Sequence, residues 1–310
     1  MIFTRKIGLK SICLTTNGDK VAVACMKGSG YKIHIVDVNT QEEIQESEKK
    51  QHAVCRYSSW SNKGDIVACA RGNSTISLWN TQLDTYASLP GHREFAVCLG
   101  FSPDDTALVS GAFDNCVAVW DIERESCVYS YTGHSNMISA VLFHPSEPII
   151  ASTSWDKSIA FTDSRTGEEI GKIETAHENF VKAADFSLDG DLFTGGNDEQ
   201  IKRWDMRKMS CTDAFLAGGP IGHITCTQNG KLIAATKRVV SIKAWDAHTL
   251  TLDWVIDKIP TVRIKNTVIA KDGNTIIIGN ESETYDIYHY TATRFRKTKN
   301  AANCVKPHRP

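Results

Sequence analysis

Three sets of histidine, hydroxyl and acidic side chains recur along this chain of 310 residues. Serine, histidine and aspartate are the residue types of the nucleophilic hydrolases, in which the histidine removes the proton of the serine hydroxyl. An enzyme needs one such set, whereas here the same order of residues returns at a regular distance. The repetition therefore favours a structural role over catalysis. The three sets are His92, Ser110 and Asp114; His134, Ser152 and Asp156; and His177, Thr194 and Asp198.

The distance between these sets belongs to a repeat that fills almost the whole chain. Aligning the chain on its Trp-Asp pairs places one anchor per unit at positions 36, 79, 120, 162, 204, 245 and 288, so that successive anchors lie 41 to 43 residues apart. Each unit has a polar turn about midway, between short runs rich in valine, isoleucine, alanine and aromatic residues. Such runs are typical of strands, and no segment has helical periodicity. Each unit is therefore predicted to form four short antiparallel strands.

Over about residues 1–293 the chain resembles the WD-repeat β-propeller family. The resemblance rests on Gly-His or Ala-His pairs at residues 91–92, 133–134 and 176–177, and on Trp-Asp pairs downstream of them. It implies an all-β fold, a seven-bladed β-propeller with four antiparallel strands per blade around a central channel. The repeats are expected to end near residues 37, 80, 121, 163, 205, 246 and 289, and a basic tail is expected at 294–310.

In this family the histidine, hydroxyl, aspartate and tryptophan of one repeat form a hydrogen-bonded chain, which gives the sets described above a structural role. Buried networks of this kind are favourable only when every member is paired. The third set is expected to be truncated, because Thr162 stands where the tryptophan would be. The two complete structural tetrads are His92, Ser110, Asp114 and Trp120; and His177, Thr194, Asp198 and Trp204.

The resemblance also places three positions of each repeat on one rim of the channel. Two of them flank the apolar residue that opens the innermost strand, and the third precedes the aspartate of the set. Aromatic and Met side chains on such turns indicate a partner-binding surface, with the alternative that some rings pack between blades. An aromatic arc is thus expected to face a mainly basic arc. The partner-binding residues expected there are Phe95, Phe113, Met137, Trp155, Phe180, Lys182, Arg56, Arg238, Arg263, Lys265 and Lys10.

These positions predict a non-catalytic scaffold or adaptor that binds a protein segment on one rim, within a multiprotein complex. The expected ligand is a peptide-like segment with an apolar anchor and acidic residues nearby. The alternative is an RNA-binding or ribonucleoprotein subunit, in which the rings stack on bases beside the basic residues. An enzyme is the third hypothesis, and no sequence motif supports it. The propeller is expected to be monomeric.

The composition of the chain argues against several classes of protein and partner. The net charge of -1 selects neither nucleic acid nor membrane, and no apolar stretch has the length of a membrane span or of a signal peptide. The ten cysteines lie mostly in apolar runs, which predicts buried, reduced thiols and a cytoplasmic or nuclear protein. No cofactor or metal is expected. His223 and Cys226 are two potential ligands on one strand, too few for zinc, and His223 is out of register with the other histidines.

Both ends of the chain are candidates for closing the ring. A propeller must join its first blade to its last, because an open edge strand invites aggregation. Either residues 1–4 or residues near Phe295 are expected to form the outer strand of the seventh blade. The tail at 294–310 carries six Lys or Arg and no acid, which is a weak signal for nucleic-acid contact or a nuclear address.

Overall fold

The computed structural model of the chain consists of β-strands and turns over the residues that it describes. Seven antiparallel sheets follow one another along the chain, and each contains a run of four strands. The prediction of an all-β, seven-bladed β-propeller is therefore confirmed. The described residues are 2–6, 12–16, 19–27, 30–40, 42–47, 51–237, 241–256, 264–270, 272–273, 275–280, 284–291 and 294–295.

The first four blades each take their four strands from one stretch of chain, and a short extra strand pairs with the third strand of the first blade. The first strand of the chain, β1 Ile2–Lys6, belongs to the seventh blade. The strands of the first four blades are β2 Ile12–Thr16, β3 Lys20–Lys27, β4 Gly30–Asp37, β5 Glu43–Glu46 and the extra β6 Gln51–His52; β7 Cys55–Trp60, β8 Ile66–Arg71, β9 Thr75–Asn80 and β10 Thr85–Pro90; β11 Ala96–Phe101, β12 Ala107–Ala112, β13 Val117–Asp121 and β14 Ser126–Tyr131; and β15 Ile138–Phe143, β16 Ile149–Ser154, β17 Ile159–Asp163 and β18 Glu169–Ile173.

The fifth and sixth blades repeat this order, whereas the seventh combines strands from both ends of the chain. Their strands are β19 Val181–Phe186, β20 Leu192–Gly196, β21 Gln200–Asp205 and β22 Ser210–Leu216; β23 Ile221–Cys226, β24 Lys231–Thr236, β25 Ile242–Asp246 and β26 Leu252–Ile256; and β27 Ile264–Ile269, β28 Thr275–Asn280, β29 Thr284–Thr291 and β30 Arg294–Phe295.

The seventh blade is completed by strand pairs from both chain ends. Strand β1 lies antiparallel to β29, with Ile2 opposite Tyr288 and Lys6 opposite Thr284. Strand β30 forms a short hairpin with the end of β29, where Phe295 lies opposite Tyr290. Strand β1 is therefore the outer strand of this blade and pairs with residues 284–288 of β29, while β30 pairs with residues 290 and 291 of the same strand.

The hydrophobic core lies between neighbouring blades. Leu78 of the second blade packs in one cluster with Leu99, Leu108 and the fully buried Trp120 of the third. The two middle strands of a blade are covered on both faces, so β12 is buried along nearly its whole length, while the outer strand β14 is mostly exposed. This difference explains why the middle strands have continuous apolar runs in the sequence.

The sequence expectation of buried thiols holds for part of the chain only. Among the described residues the free cysteines 55, 69, 98 and 226 are buried. Cys127 and Cys211 are exposed, because both lie on outer strands, β14 and β22, which no further blade covers. The prediction of burial was therefore wrong for these two residues.

Turns at the end of the innermost strands join successive blades through polar contacts. The Asp105 carboxylate accepts hydrogen bonds of 2.8 Å from the backbone N–H groups of Asn62 and Lys63, and another from the Asn62 side chain. Asp105 is 9% exposed and has a φ of 62°. The second and third blades are thus joined by hydrogen bonds to a buried charge, which are stronger than neutral ones.

We expect Asp105→Gly to lower the free energy of unfolding by about 2 kcal/mol, through the lost bonds to Asn62 and Lys63. Glycine is the informative substitution because the positive φ would add strain to alanine. Urea denaturation measures the change. Glu125→Gly is the matched control, an exposed acid with a φ of 52°, and it should shift stability by less than about 0.5 kcal/mol. Equal urea midpoints for the two variants would contradict the role of Asp105.

Candidate binding rim

Four side chains of the third blade form a continuous chain of hydrogen bonds. The Trp120 indole N–H donates to Ser110 Oγ over 2.8 Å, and Ser110 Oγ lies 2.7 Å from His92 Nε2. His92 Nδ1 lies 3.1 Å from an Asp114 carboxylate oxygen. Because an indole only donates and a carboxylate only accepts, the donors run in one direction from Trp120 to Asp114. Gly91 is needed here, since a Cβ would lie 2.8 Å from the Trp120 ring.

The fifth blade contains the same chain, and the fourth a shortened one. Trp204 Nε1 donates to Thr194 Oγ1 over 2.7 Å, Thr194 lies 2.8 Å from His177 Nε2, and His177 Nδ1 lies 2.9 Å from Asp198. In the fourth blade the distances from His134 are 2.9 Å to Ser152 and 3.0 Å to Asp156, while Thr162 stands in the place of the tryptophan.

The charge states of these groups fit a structural role. Burial lowers the pKa of His134 and of His177 despite the carboxylate beside each ring. A neutral imidazole can donate from one nitrogen and accept at the other. Burial alone would raise the pKa of Asp156, but hydrogen bonds from Ser158 and from the Ser135 backbone outweigh it and hold the pKa well below its usual range. The hydroxyl of Ser152 is buried and lies in the middle of the network.

Cys116 approaches the His92 and Asp114 pair, and the ligand atoms of the three residues lie within 4.8 Å of one another. The equivalent residue of the fourth blade is Ser158, whose hydroxyl lies 2.9 Å from His134 Nδ1 and donates to Asp156 over 2.6 Å. A metal at this place would displace the hydrogen bond that His92 makes to Asp114. We therefore interpret the cluster as the network of the fourth blade with a thiol in place of the hydroxyl.

One backbone hydrogen bond marks the rim in five blades. It runs from the N–H of the residue that follows the second strand to the carbonyl of the residue that precedes the innermost strand, over 2.8 to 3.2 Å. These bonds identify equivalent positions without reference to sequence. The donor and acceptor pairs are Gly72 and Val54, Phe113 and Phe95, Trp155 and Met137, Asn197 and Phe180, and Lys237 and Pro220.

A β-bulge lies at the same place in six innermost strands. The strand register skips one residue just after the strand begins, and this residue is left out of the ladder. A bulge re-aims a side chain, here at the rim of the channel. The second rim position that the sequence analysis assigned to these blades is the bulge residue. The six bulge residues are Arg56, Val97, Ser139, Lys182, Gly222 and Lys265.

The first aromatic cluster joins the second and third blades. The Phe95 and Phe113 rings meet edge to face with centroids 5.0 Å apart, and Phe113 is 43% exposed. The Arg56 guanidinium lies 4.3 Å from the centre of the Phe95 ring, a cation–π contact. Arg56 was expected in a basic arc that faces the rings. This placement was wrong, because the bulge in β7 turns Arg56 onto the neighbouring blade.

The second aromatic cluster joins the fourth and fifth blades. The Trp155 and Phe180 rings stack with centroids 4.8 Å apart and planes 13° from parallel. Lys182 Nζ lies 3.7 Å from the centre of a Trp155 ring. Burial, followed by the charge of Lys237, lowers the pKa of Lys182 to about 8. This cluster therefore combines a partly open aromatic surface with a cation that is poorly stabilised by its surroundings.

Met137 does not belong to the exposed surface. The side chain is only 8% exposed, and its backbone carbonyl accepts the rim hydrogen bond from Trp155. The prediction of Met137 as a contact for a partner is thus corrected, because the residue packs into the body of the blade. The aromatic residues form two pairs, one on each side of it in the chain, rather than one arc.

The sixth blade presents Lys237 at the position where the sequence analysis expected Arg238. The backbone N–H of Lys237 makes the rim hydrogen bond to Pro220. The following turn closes with a bond from Thr236 N–H to the Ser241 carbonyl, five residues on, whereas the fourth blade closes from Ser154 to Ser158, four residues on. The extra residue moved the count by one, and Arg238 itself lies outside the described residues.

The comparisons with known proteins agree with this geometry. The family model "WD domain, G-beta repeat" matches residues 83–121, 125–163 and 167–205. A chain of a structure titled "Crystal Structure of Mitotic Checkpoint Complex" superposes with a TM-score of 0.81, over 93% of this chain and 90% of that one. The protein is a β-propeller that contains WD repeats over residues 83–205. At 17% sequence identity, that structural likeness concerns the fold alone.

Curated relatives of this WD-repeat propeller match parts of it. Pre-mRNA-processing factor 19 of Oryza sativa subsp. japonica is 27% identical over 53% of this chain and 32% of its own length. Ribosome biogenesis protein WDR12 homolog of Ixodes scapularis is 29% identical over 46% of this chain and 34% of its own length. Nuclear distribution protein PAC1 of Komagataella phaffii is 35% identical over 41% of this chain and 25% of its own length. The chain spans a quarter to a third of the length of these relatives.

Several predicted residues of the WD-repeat propeller cannot be placed at the rim. Lys10 and Arg263 lie outside the described residues, and Lys265 is described by its backbone alone, at the bulge of β27. His223 lies inside strand β23, with its Nε2 2.9 Å from Thr225 Oγ1. Nowhere in the described part of the chain does a helix have the length and apolar character needed to cross a membrane.

Proposed function

We propose that this WD-repeat propeller is a non-catalytic scaffold subunit that binds a segment of a partner protein on the rim formed by the two aromatic clusters. The observation that supports the proposal is the Trp155–Phe180 pair, an aromatic stack next to the start of two innermost strands, with Lys182 on it. Aromatic side chains and cations of this kind dominate the binding energy of protein interfaces.

The two clusters supply complementary surfaces for one ligand. The Phe95–Phe113 pair with Arg56 and the Trp155–Phe180 pair with Lys182 each combine an apolar face with a positive charge. A segment with an apolar anchor and acidic neighbours fits both properties. The anchor would supply most of the affinity, and the charges would set its orientation and rate of association.

The relatives support this proposal by the processes in their names, which are pre-mRNA processing, ribosome biogenesis and nuclear distribution. We extend to this chain the role of a subunit in a protein complex, in the cytoplasm or the nucleus. The proposal assigns no catalytic step to the chain, because the histidine and hydroxyl sets form buried networks. A reproducible turnover that one point substitution at the rim abolishes would contradict it.

The test is affinity purification from cells of the natural source, with tagged wild type and the double variant Trp155→Ala, Phe180→Ala. We expect the variant to capture at least about tenfold less of the native partner, because it loses the aromatic hot spot. Its melting temperature should stay within about 4 °C of wild type, because both side chains are partly exposed.

The matched control is Leu83→Ala, Leu188→Ala. These two side chains are 71% and 64% exposed and lie in turns at the opposite ends of the strands, so they remove comparable apolar surface from the other face. This control should capture the partner like wild type. If the aromatic variant retains every protein that wild type retains, the rim is not the binding surface.

RNA binding is the second candidate, because stacked rings beside cations also suit unpaired bases. The dependence on salt and on nuclease treatment distinguishes binding of a protein segment from binding of RNA. Phosphate contacts weaken steeply with salt through counterion release, while a peptide held by aromatic anchors loses much less. We expect the captured proteins to persist after nuclease treatment. Loss of all of them with nuclease would favour the RNA candidate.

A further inference from the structure

We infer that Lys182 and Lys237 together form a subsite for an anionic side chain, carboxylate or phosphate, that lies next to the apolar anchor on Trp155. The inference rests on the proposed function and specifies the chemistry of the ligand at one place on the rim. It comes from the positions of two lysines on neighbouring blades, Lys182 of the fifth and Lys237 of the sixth, and Lys237 was not among the rim residues expected from the sequence.

The path of the Lys237 side chain depends on the absence of a side chain at Gly222. Gly222 is the bulge residue of the sixth blade, at the position that Lys182 occupies in the fifth. A Cβ on Gly222 would lie 2.9 Å from Lys237 Cγ and 3.0 Å from Lys237 Cε. The Lys237 side chain therefore lies across the bulge, in space that any larger residue at 222 would occupy.

Lys182 is held at the other side of the subsite. Its ammonium group lies 3.7 Å from the centre of a Trp155 ring, and the positive charge of Lys237 acts on it strongly enough to contribute to its lowered pKa. Two like charges that act on each other are destabilised unless an anion lies near them. A bound carboxylate or phosphate would offset both the burial of Lys182 and this repulsion.

The described surroundings leave the pair without a counter-ion. Among the residues that the structure describes, neither lysine lies within ion-pair distance of an acidic group. By contrast, Lys231 of the same sixth blade lies 3.1 Å from Asp253, and Lys172 of the fourth lies 2.9 Å from Glu174. The positive charge at the rim is thus complementary to an acidic group supplied from outside.

The experiment uses small probes that carry one ring and one anion, phenyl phosphate and phenylacetate, with the full chain. Lysine labelled with ¹³C at Cε shows by NMR where the probe binds, and Lys182→Arg identifies the Lys182 signal. The line width of the probe's own ¹H signals gives the dissociation constant, for wild type and equally for variants that lack Lys182. We expect at least one probe to shift the Lys182 signal with a millimolar dissociation constant. Lys182→Gln with Lys237→Gln should weaken its binding at least about tenfold, and the tighter probe indicates which anion the partner supplies.

Two further variants separate the subsite from general surface charge. Lys182→Arg keeps the charge and should stay within about threefold of wild type, whereas Gly222→Ala should weaken binding about fivefold by displacing Lys237. Lys157→Gln is the matched control, because Lys157 is an exposed lysine on the same rim of the fourth blade. This control should bind like wild type within about twofold.

The outcomes distinguish this inference from the proposed function. If neither probe binds up to 20 mM, or if the double glutamine variant binds as well as wild type, the anion subsite is wrong, whatever the purification shows. If the probes depend on both lysines but the aromatic double variant still captures every native partner, the subsite exists and the proposed rim function is wrong. Binding that falls equally in Lys157→Gln would also overturn the subsite.

Discussion

Replacing Asp198 by Ala is expected to lower the free energy of unfolding by about 3 kcal/mol, a large part of the stability of an ordinary domain. The carboxylate is only 6% exposed and accepts hydrogen bonds from His177 Nδ1, from Glu178 N–H over 3.0 Å and from Gln200 N–H over 3.2 Å. Its loss leaves a buried imidazole N–H without a partner, and a network with one member missing is worse than none.

Urea denaturation followed by far-UV circular dichroism measures this change. Asp189→Ala is the matched control in the same blade, because Asp189 is 60% exposed and pairs with His248 at the surface; its effect should stay within about 0.5 kcal/mol. A native-like stability for Asp198→Ala together with loss of the partner would show that the network is a binding site instead of a structural support.

Acid is expected to destabilise the propeller well before its carboxylates are protonated. Burial lowers the pKa of His223 to about 4, against about 6.5 in an unfolded chain. Below pH 6.5 the unfolded state takes up a proton that folded His223 refuses. The contribution of neutral His223 to the free energy of unfolding is therefore fully present above about pH 6.5 and is lost as the pH falls toward about 4. About 2 kcal/mol of it is already lost at pH 5.

The measurement compares urea midpoints at pH 7 and pH 5 for wild type and His223→Gln, whose amide can still bond Thr225. The variant should lose about 2 kcal/mol less than wild type over this range. His134 and His177 act in the same direction in both proteins, because burial lowers their pKa as well. Between pH 7 and pH 8 the two proteins should differ by a constant amount. Parallel losses down to pH 5 would contradict a neutral, partly buried His223.

The regular blades were predictable because local and repeated signals agree in them. Each polar turn stops a strand, each apolar run forms one, and the histidine, hydroxyl, aspartate and tryptophan types recur at one spacing. The partners of Trp120 and Trp204 could therefore be named from residue types and a known family pattern. The closing strands are a different case, since two separate ends of the chain could supply them and spacing does not rank them.

The composition of the rim was less predictable, because it depends on side-chain direction. Counting back from Trp245 placed Arg238 at the rim, but a turn one residue longer brings Lys237 there. Residue type suggested that Met137 faces a partner, yet packing buries it. Arg56 was expected opposite the rings and lies on Phe95. Turn length decides the first case, packing the second and bulge geometry the third, and none of these has a strong signature in a single sequence.

The inner bulges separate the residues that pair the strands from residues of the proposed binding rim. A bulge residue makes no ladder hydrogen bond, so its replacement leaves strand pairing intact while the chemistry of the rim changes. If the proposed rim function is right, duplicated copies of the gene can change partner at these six positions without compensating mutations in the core. Variation elsewhere on the innermost strands is far more constrained. A library randomised only at Arg56, Val97, Ser139, Lys182, Gly222 and Lys265 would sample new ligands on an unchanged frame.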